Sequence, residues 1–341
     1  MQIKKFLLVF SLLTLVACQA PSLPRSATAT PLPTFPATST FTATATATDI
    51  HTATATETST PTFTPMPTAG VRRVLIVSID GLRPDAISMV PMPNLINLMQ
   101  TSAYTLDAQT VYPSVTLITH TSMLTGECPS KHGIDWNDYK PEKGYAMGAD
   151  LFDIAHAAEL QTVMYVGKEK LRQITEPDST DQFVYIKDRD SVIIDRLIAD
   201  FPQDFGLLFI HFPTPDGMGH SYGWLSSQYL SVLFRADEAI GKLLAELDAR
   251  NLRGETLIIV TADHGGHSTT HGSSMPEDMT IPWIASGPGI QPKRLTAPVH
   301  TMDTAATAAF ALGLDLPAEW DGVPVYEAFG LPIEKESAQC P

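Results

Sequence analysis

Basic residues are scarce in this chain. Lys and Arg number 22 against 37 Asp and Glu, a formal net charge of -15. No Lys/Arg block is present to offset that, so steered binding to long nucleic acid is not expected. Long apolar runs are also missing. The longest candidate, Phe6 to Val16, is too short for a comfortable membrane span. Cysteine stands at only three positions, Cys18, Cys128 and Cys340. There is no internal repeat.

What is there divides by composition. Residues 1–17 carry Lys4 and Lys5 ahead of the apolar run, the form of a secretory signal. The run ends in "LVAC", which resembles the bacterial lipobox and implies cleavage before Cys18 and a lipid on its thiol. The resemblance implies a chain at the bacterial cell envelope, held at the membrane through Cys18 and facing out of the cytoplasm. Residues 18–70 are dominated by Thr, Ala and Pro, with little to bury, and are expected to form a disordered stalk. Extended, such a stalk reaches on the order of 150 Å at ~3 Å per residue. Residues 71–331 have ordinary globular composition and enough length for one substantial core. Residues 332–341 are left as a C-terminal tail. With Cys18 assigned to lipid, a disulfide between Cys128 and Cys340 is permitted outside the cytoplasm. Two buried or unpaired thiols fit nearly as well.

Within the globular region, apolar runs alternate with helical patterns. "RRVLIVSID" (72–80), "QTVMYVG" (161–167), "FGLLFIHF" (205–212), "ETLIIVTAD" (255–263) and "TIPWIAS" (280–286) read as strands. Helices are expected over 93–100, 116–124, 151–160, 191–200, 226–248 and 303–312. Near-continuous apolar strands alternating with helices predict an α/β fold, with a mostly parallel central sheet covered on both faces.

Three strands end alike. The first delivers Asp80. The third runs into a polar loop, "PTPDGMGH", with Asp216 and His220. The fourth delivers Asp263 and His264. A single Asp after a strand is ordinarily a turn or a helix cap. In a parallel sheet, however, these ends lie on one edge, where α/β proteins place their chemistry. Carboxylate oxygen and imidazole nitrogen together suit zinc and similar divalent ions. A second stretch, "YPSVTLITHTSMLTGECPSKHGIDWN" (112–137), breaks at Pro113 and Ser114 and opens a helix at Thr116. Helix N-termini attract anions, and a hydroxyl there is a candidate nucleophile. The plainer reading is that Thr116 or Ser114 caps the helix.

With these segments in view, residues 72–330 resemble the alkaline phosphatase superfamily, and within it the type I phosphodiesterase, or nucleotide pyrophosphatase/phosphodiesterase, branch. The likeness rests on Asp80-Gly81, "PSVT", "TGECPSKHGI", the D-x-x-x-H pair Asp216 and His220, the D-H-G pair Asp263 and His264, and His271 in "TTHGSS". Ile118-Thr119 departs from the Pro-Asn that the branch often carries, without touching a ligand. The resemblance implies a metal-dependent phosphodiesterase or pyrophosphatase with two divalent ions, zinc being the expected metal. One ion would be held by Asp80, Thr116, Asp263 and His264, the other by Asp216, His220 and His271. Thr116 would be the nucleophile and form a phosphothreonine. Asn137 would donate to a non-bridging oxygen of a small phosphodiester or nucleotide substrate.

The remaining candidates have plainer roles. His267 competes with His271 as the last ligand, and the Gly after His271 favours the latter. His120 supports the nucleophile, His132 orders the loop after its helix, and His300 is structural or exposed. Lys168 and Lys170 read best as part of a solvated loop. With no Arg in the nucleophile segment, Asn137 suits a diester better than a doubly charged monoester. Phosphomonoesterase and phosphonate hydrolase are the neighbouring alternatives. A sulfatase is disfavoured because "SVTLITH" lacks the Cys and Arg of such sites. A surface-binding protein on an inactive fold is the rival of another class.

Overall fold

The computed structural model describes residues 70–333 and 335–340. The leader expected over residues 1–17, the lipid expected on Cys18 and the stalk expected over residues 18–70 thus fall, save for Gly70, outside the described residues. Eight strands form one sheet: β1 (Arg73–Ile79), β2 (Ala103–Gln109), β3 (Gln161–Val166), β4 (Gln182–Tyr185), β5 (Phe205–Phe212), β6 (Thr256–Thr261), β7 (Thr280–Ser286) and β8 (Lys293–Arg294). Their order is β4-β3-β5-β1-β6-β7-β2-β8. Only β7 runs against its neighbours β6 and β2. The other pairings are parallel.

The helices among the described residues are α1 (Pro93–Gln100), α2 (Thr116–Thr125), α3 (Pro129–His132), α4 (Leu151–Ala157), α5 (Asp190–Ala199), α6 (Thr214–Tyr222), α7 (Ser227–Ala249), α8 (Pro276–Met279) and α9 (Asp303–Leu312). The central strands β5 and β6 are buried along their whole length, and β1 is buried beyond Arg73. Runs such as "RVLIVSI" therefore read as uninterrupted rather than alternating, because helices cover both faces.

The five expected strands and six expected helices are present within a few residues of their ends. Helix 151–160 stops at Ala157, where Glu159 turns into the left-handed region at φ 59°. One expectation is corrected. The segment after β5 is the helix α6 rather than a polar loop. Its one proline, Pro215, sits in the first turn, where proline is tolerated, but Gly217 and Gly219 give it poor intrinsic helix propensity. Tertiary packing overrides that: a Cβ on Gly219 would stand 2.6 Å from the Trp224 ring, so only glycine lets α6 lie against it. The helical turn then sets Asp216 and His220 on one face, four residues apart. Cys128 and Cys340 are joined by a disulfide, and Ala338 donates its N–H to the Asp321 carbonyl at 3.0 Å, so the last described residues lie on the domain.

Candidate active site

Four adjacent parallel strands, β3, β5, β1 and β6, deliver their carboxyl ends to one edge. Asp80 follows β1, α6 follows β5, and Asp263 and His264 follow β6. Gly81 turns the chain at φ +75°, and a Cβ there would meet the Asp216 backbone at 3.2 Å. Its N–H donates to Asp263 Oδ1 at 3.0 Å. Its carbonyl accepts from Trp224 Nε1 and Tyr229 Oη, both at 2.9 Å. The Asp80-Gly81 dipeptide thus locks the ends of β1, β5 and β6 together.

The first group is Asp80, Asp263 and His264, all fully buried. His264 Nδ1 donates to the Gly265 carbonyl at 2.8 Å, which leaves Nε2 as a bare lone pair. That atom lies 3.5 Å from Asp80 Oδ1 and 3.2 Å from Asp263 Oδ2. Burial and the neighbouring His271 hold His264 neutral, at about 3. Burial alone would raise Asp80, but Lys168 and His211 outweigh it and keep that carboxyl well below the usual range. Burial and the charge of Asp80 push Asp263 well above it.

The second group is Asp216, His220 and His271. His220 Nδ1 donates to the Thr269 carbonyl at 3.0 Å, and His271 Nδ1 to the Ser114 carbonyl at 2.7 Å. Their Nε2 atoms face each other at 3.1 Å and lie 3.3 and 3.4 Å from Asp216 Oδ1. The His220 side chain is 46% exposed, so this group opens to solvent. The imidazoles of His264 and His271 stack at 3.7 Å and link the two groups.

Both groups consist of acceptors aimed at acceptors. Asp80 Oδ1, Asp216 Oδ1, Asp263 Oδ2 and His264 Nε2 are buried with no hydrogen-bond partner. Such atoms are costly unless a cation sits among them. Within each group the ligand atoms lie within 4.8 Å of one another. The histidines are oriented by carbonyls, as metal-binding imidazoles ordinarily are. The donor set therefore fits a divalent ion at each group.

Thr116 stands at the first position of α2, and Val115 is the residue before it that caps the helix without a side-chain bond. The hydroxyl is buried and is not a cap. Lys168 Nζ lies 3.2 Å from Thr116 Oγ1, 2.7 Å from Asp80 Oδ2 and 2.6 Å from Asp216 Oδ2. Each of these carboxylates thus spends one oxygen on Lys168 and leaves the other free for an ion. Asn137 Oδ1 accepts from the Leu117 N–H at 2.9 Å and from Lys170 Nζ at 2.8 Å. With the carbonyl so fixed, its amide N–H₂ is the end left for a ligand. Ser114 Oγ donates instead to the Ser273 carbonyl at 2.8 Å, which engages the alternative hydroxyl elsewhere.

Lys168 and Lys170 therefore stand in the site, not in a solvated loop. They follow β3, whose end reaches the same edge as the three read for metal ligands. His211 was not foreseen either. It lies inside β5 paired with Ser78 of β1. Its Nδ1 accepts the Gly167 N–H at 3.2 Å, and its Nε2 donates to Asp80 Oδ2 at 2.8 Å. His120 holds the turn that carries Thr116, with Nδ1 2.7 Å from the Thr116 carbonyl and 3.3 Å from Asp263 Oδ2. His132 bonds Ser122 and the Ile134 N–H behind α2. His267 is tied to Asp278 at 2.7 Å, and His300 to Ser337 at 2.8 Å, so neither belongs to the two groups.

The family model for type I phosphodiesterase / nucleotide pyrophosphatase matches residues 74–282. The chain belongs to this family. Curated relatives include ectonucleotide pyrophosphatase/phosphodiesterase family member 5 of Homo sapiens, 26% identical over 215 residues. A venom phosphodiesterase of Naja atra is 28% identical over 218 residues. The matched regions cover 57% and 56% of this chain, but only 45% and 26% of those proteins. The chain thus spans less than half the length of these family members. Murine ectonucleotide pyrophosphatase/phosphodiesterase 5, solved as an inactive threonine-to-alanine variant with AMP, shares the fold. Its TM-score is 0.65 at 16% identity, covering 76% of this chain and 99% of that one.

Proposed function

We propose that this family member is a metal-dependent phosphoric ester hydrolase that works through a covalent phosphothreonine on Thr116. One observation carries the reading. A buried hydroxyl at a helix N-terminus lies beside two convergent sets of ligand atoms, four of them buried and without a hydrogen-bond partner. Asp80, Asp263 and His264 would hold one divalent ion with Thr116 at its side, and Asp216, His220 and His271 the other. Bound there, divalent ions supply Lewis-acid stabilisation of negative charge on the phosphoryl oxygens. Thr116 Oγ attacks phosphorus, the Oγ–P bond forms, and the bond to the leaving oxygen breaks. The leaving group takes up a proton equivalent to the one the hydroxyl gives up. Water then attacks the phosphothreonine, and Thr116 recovers its hydroxyl. The Lys168 ammonium favours the alkoxide form of Thr116, and the Asn137 amide donates to a non-bridging oxygen. Small nucleotides and their esters are the expected substrates. AMP bound to the murine relative supports that class.

A hydrolysis panel tests the reading. Nitrophenyl phosphate esters and nucleotides should turn over with metal present, and nitrophenyl sulfate should not. Asn137→Ala should lower ester turnover roughly a hundredfold with the metals retained, the usual cost of one such donor. A loss below about threefold would remove Asn137 from the mechanism, and a preference for the sulfate would remove the ester class.

We further propose an extracytoplasmic, lipid-anchored location. The leader, Cys18 and the Cys128–Cys340 disulfide support it. Fatty-acid labelling of whole cells should mark the wild type and not Cys18→Ala. Equal labelling of both would contradict the anchor.

A further inference from the structure

Two ammonium groups stand by the first turn of α2, Lys168 at Thr116 and Lys170 at Asn137. Lys168 is engaged by Asp80 and Asp216 as well as by Thr116. Lys170 is different. Its contact is the neutral Asn137 oxygen, and it forms no ion pair among the described residues. It is partly buried, and burial, with the charge of Lys168 beside it, pushes it down to about 8. The charges of Asp80, Asp216 and Asp263 favour its ammonium from a distance, but no carboxylate touches it, and a partly buried ammonium in that position is suited to an arriving anion. Asn137 links it to the first turn of α2, because the same oxygen takes the Leu117 N–H.

We propose that Lys170, with Lys168 beside it, fits the site to a doubly charged terminal phosphoryl group, so that the chain hydrolyses phosphate monoesters at least as fast as matched diesters. The inference rests on the reading of Thr116 as nucleophile. A terminal phosphate carries close to two negative charges at neutral pH, whereas a diester carries one. The second charge is what Lys170 would meet. The chemistry is otherwise that of the Thr116 cycle. The Oγ–P bond forms as the P–O bond to the alcohol breaks, the alcohol leaves protonated, and water releases inorganic phosphate.

The test uses the full chain with its metals. The kcat/KM values on 4-nitrophenyl phosphate and methyl 4-nitrophenyl phosphate are compared for wild type, Lys170→Met and Lys170→Arg, and inorganic phosphate binding is measured by calorimetry. Wild type should favour the monoester or treat the two alike. Lys170→Met should lower the monoester value about tenfold more than the diester value and weaken phosphate binding by about tenfold, the scale of a lost charged partner. Lys170→Arg should recover most of both. A wild type that favours the diester, or a Met variant that lowers both esters equally and binds phosphate as before, overturns the inference and leaves the hydrolase reading standing. Absence of turnover on either ester overturns the hydrolase reading, and the inference with it.

Discussion

Thr116→Ala should reduce turnover by about a thousandfold or more and leave a folded, metal-loaded chain. Loss of a nucleophile typically has effects of this size or larger. Stability should not account for it. Thr116 is at the first position of α2, so no capping bond is lost, and alanine is the better helix former. The side chain is 1% exposed, so the cost is that of a small buried truncation, about 1 kcal/mol. Steady-state rates on a nitrophenyl ester, a melting curve and metal analysis check this together. A folded variant with rates within tenfold of wild type would place the nucleophile elsewhere.

Removing the metals should have an effect of similar size and a second signature. Without cations, Asp80 Oδ1, Asp263 Oδ2 and His264 Nε2 face one another unsatisfied in a fully buried pocket. Among the described residues, Lys168 is the one ammonium paired with carboxylates of both groups. The ion that fits each group binds the folded chain and has no such site in the unfolded one. Stability therefore rises with its concentration, by ~2.7 kcal/mol at a hundred times Kd. Dialysis against a strong chelator should abolish activity and lower the melting temperature, and zinc should restore both. Full activity after verified removal of metal would contradict the two-group reading. An unchanged melting temperature with activity lost would mean that the ions serve the reaction without holding the strand ends.

The parts of the site that could be read from the chain are those written into strand ends. Asp80, Asp216, Asp263 and their histidines follow apolar runs, and a parallel sheet brings such ends to one edge. The strand "QTVMYVG" ends at the same edge and is followed by Lys168, but lysine is no metal ligand, so its residue type gives no sign of the site. His211 had no such signal. It sits inside a buried strand, and only the register that sets it opposite Ser78 brings it near Asp80. The helix α6 is masked in the sequence by Gly217, Gly219 and Pro215, and Gly219 is what lets it lie against Trp224. The strand β2, "AYTLDAQ", escaped because its burial alternates and its partner Ala285 is distant in sequence. The strand β4 is four residues long, half-buried at the edge of the sheet, and too weak in pattern to stand out.

The covalent step is the centre of the account, and acid quenching tests it most directly. Metal-loaded enzyme is mixed with excess ester, quenched in acid during turnover, digested and analysed by mass spectrometry. The account predicts a phosphate ester on Thr116 in the peptide that begins α2, absent from Thr116→Ala. A phosphate on another residue, or a wild type that turns over at full rate without accumulating any phosphopeptide even when dephosphorylation is slowed, would contradict it.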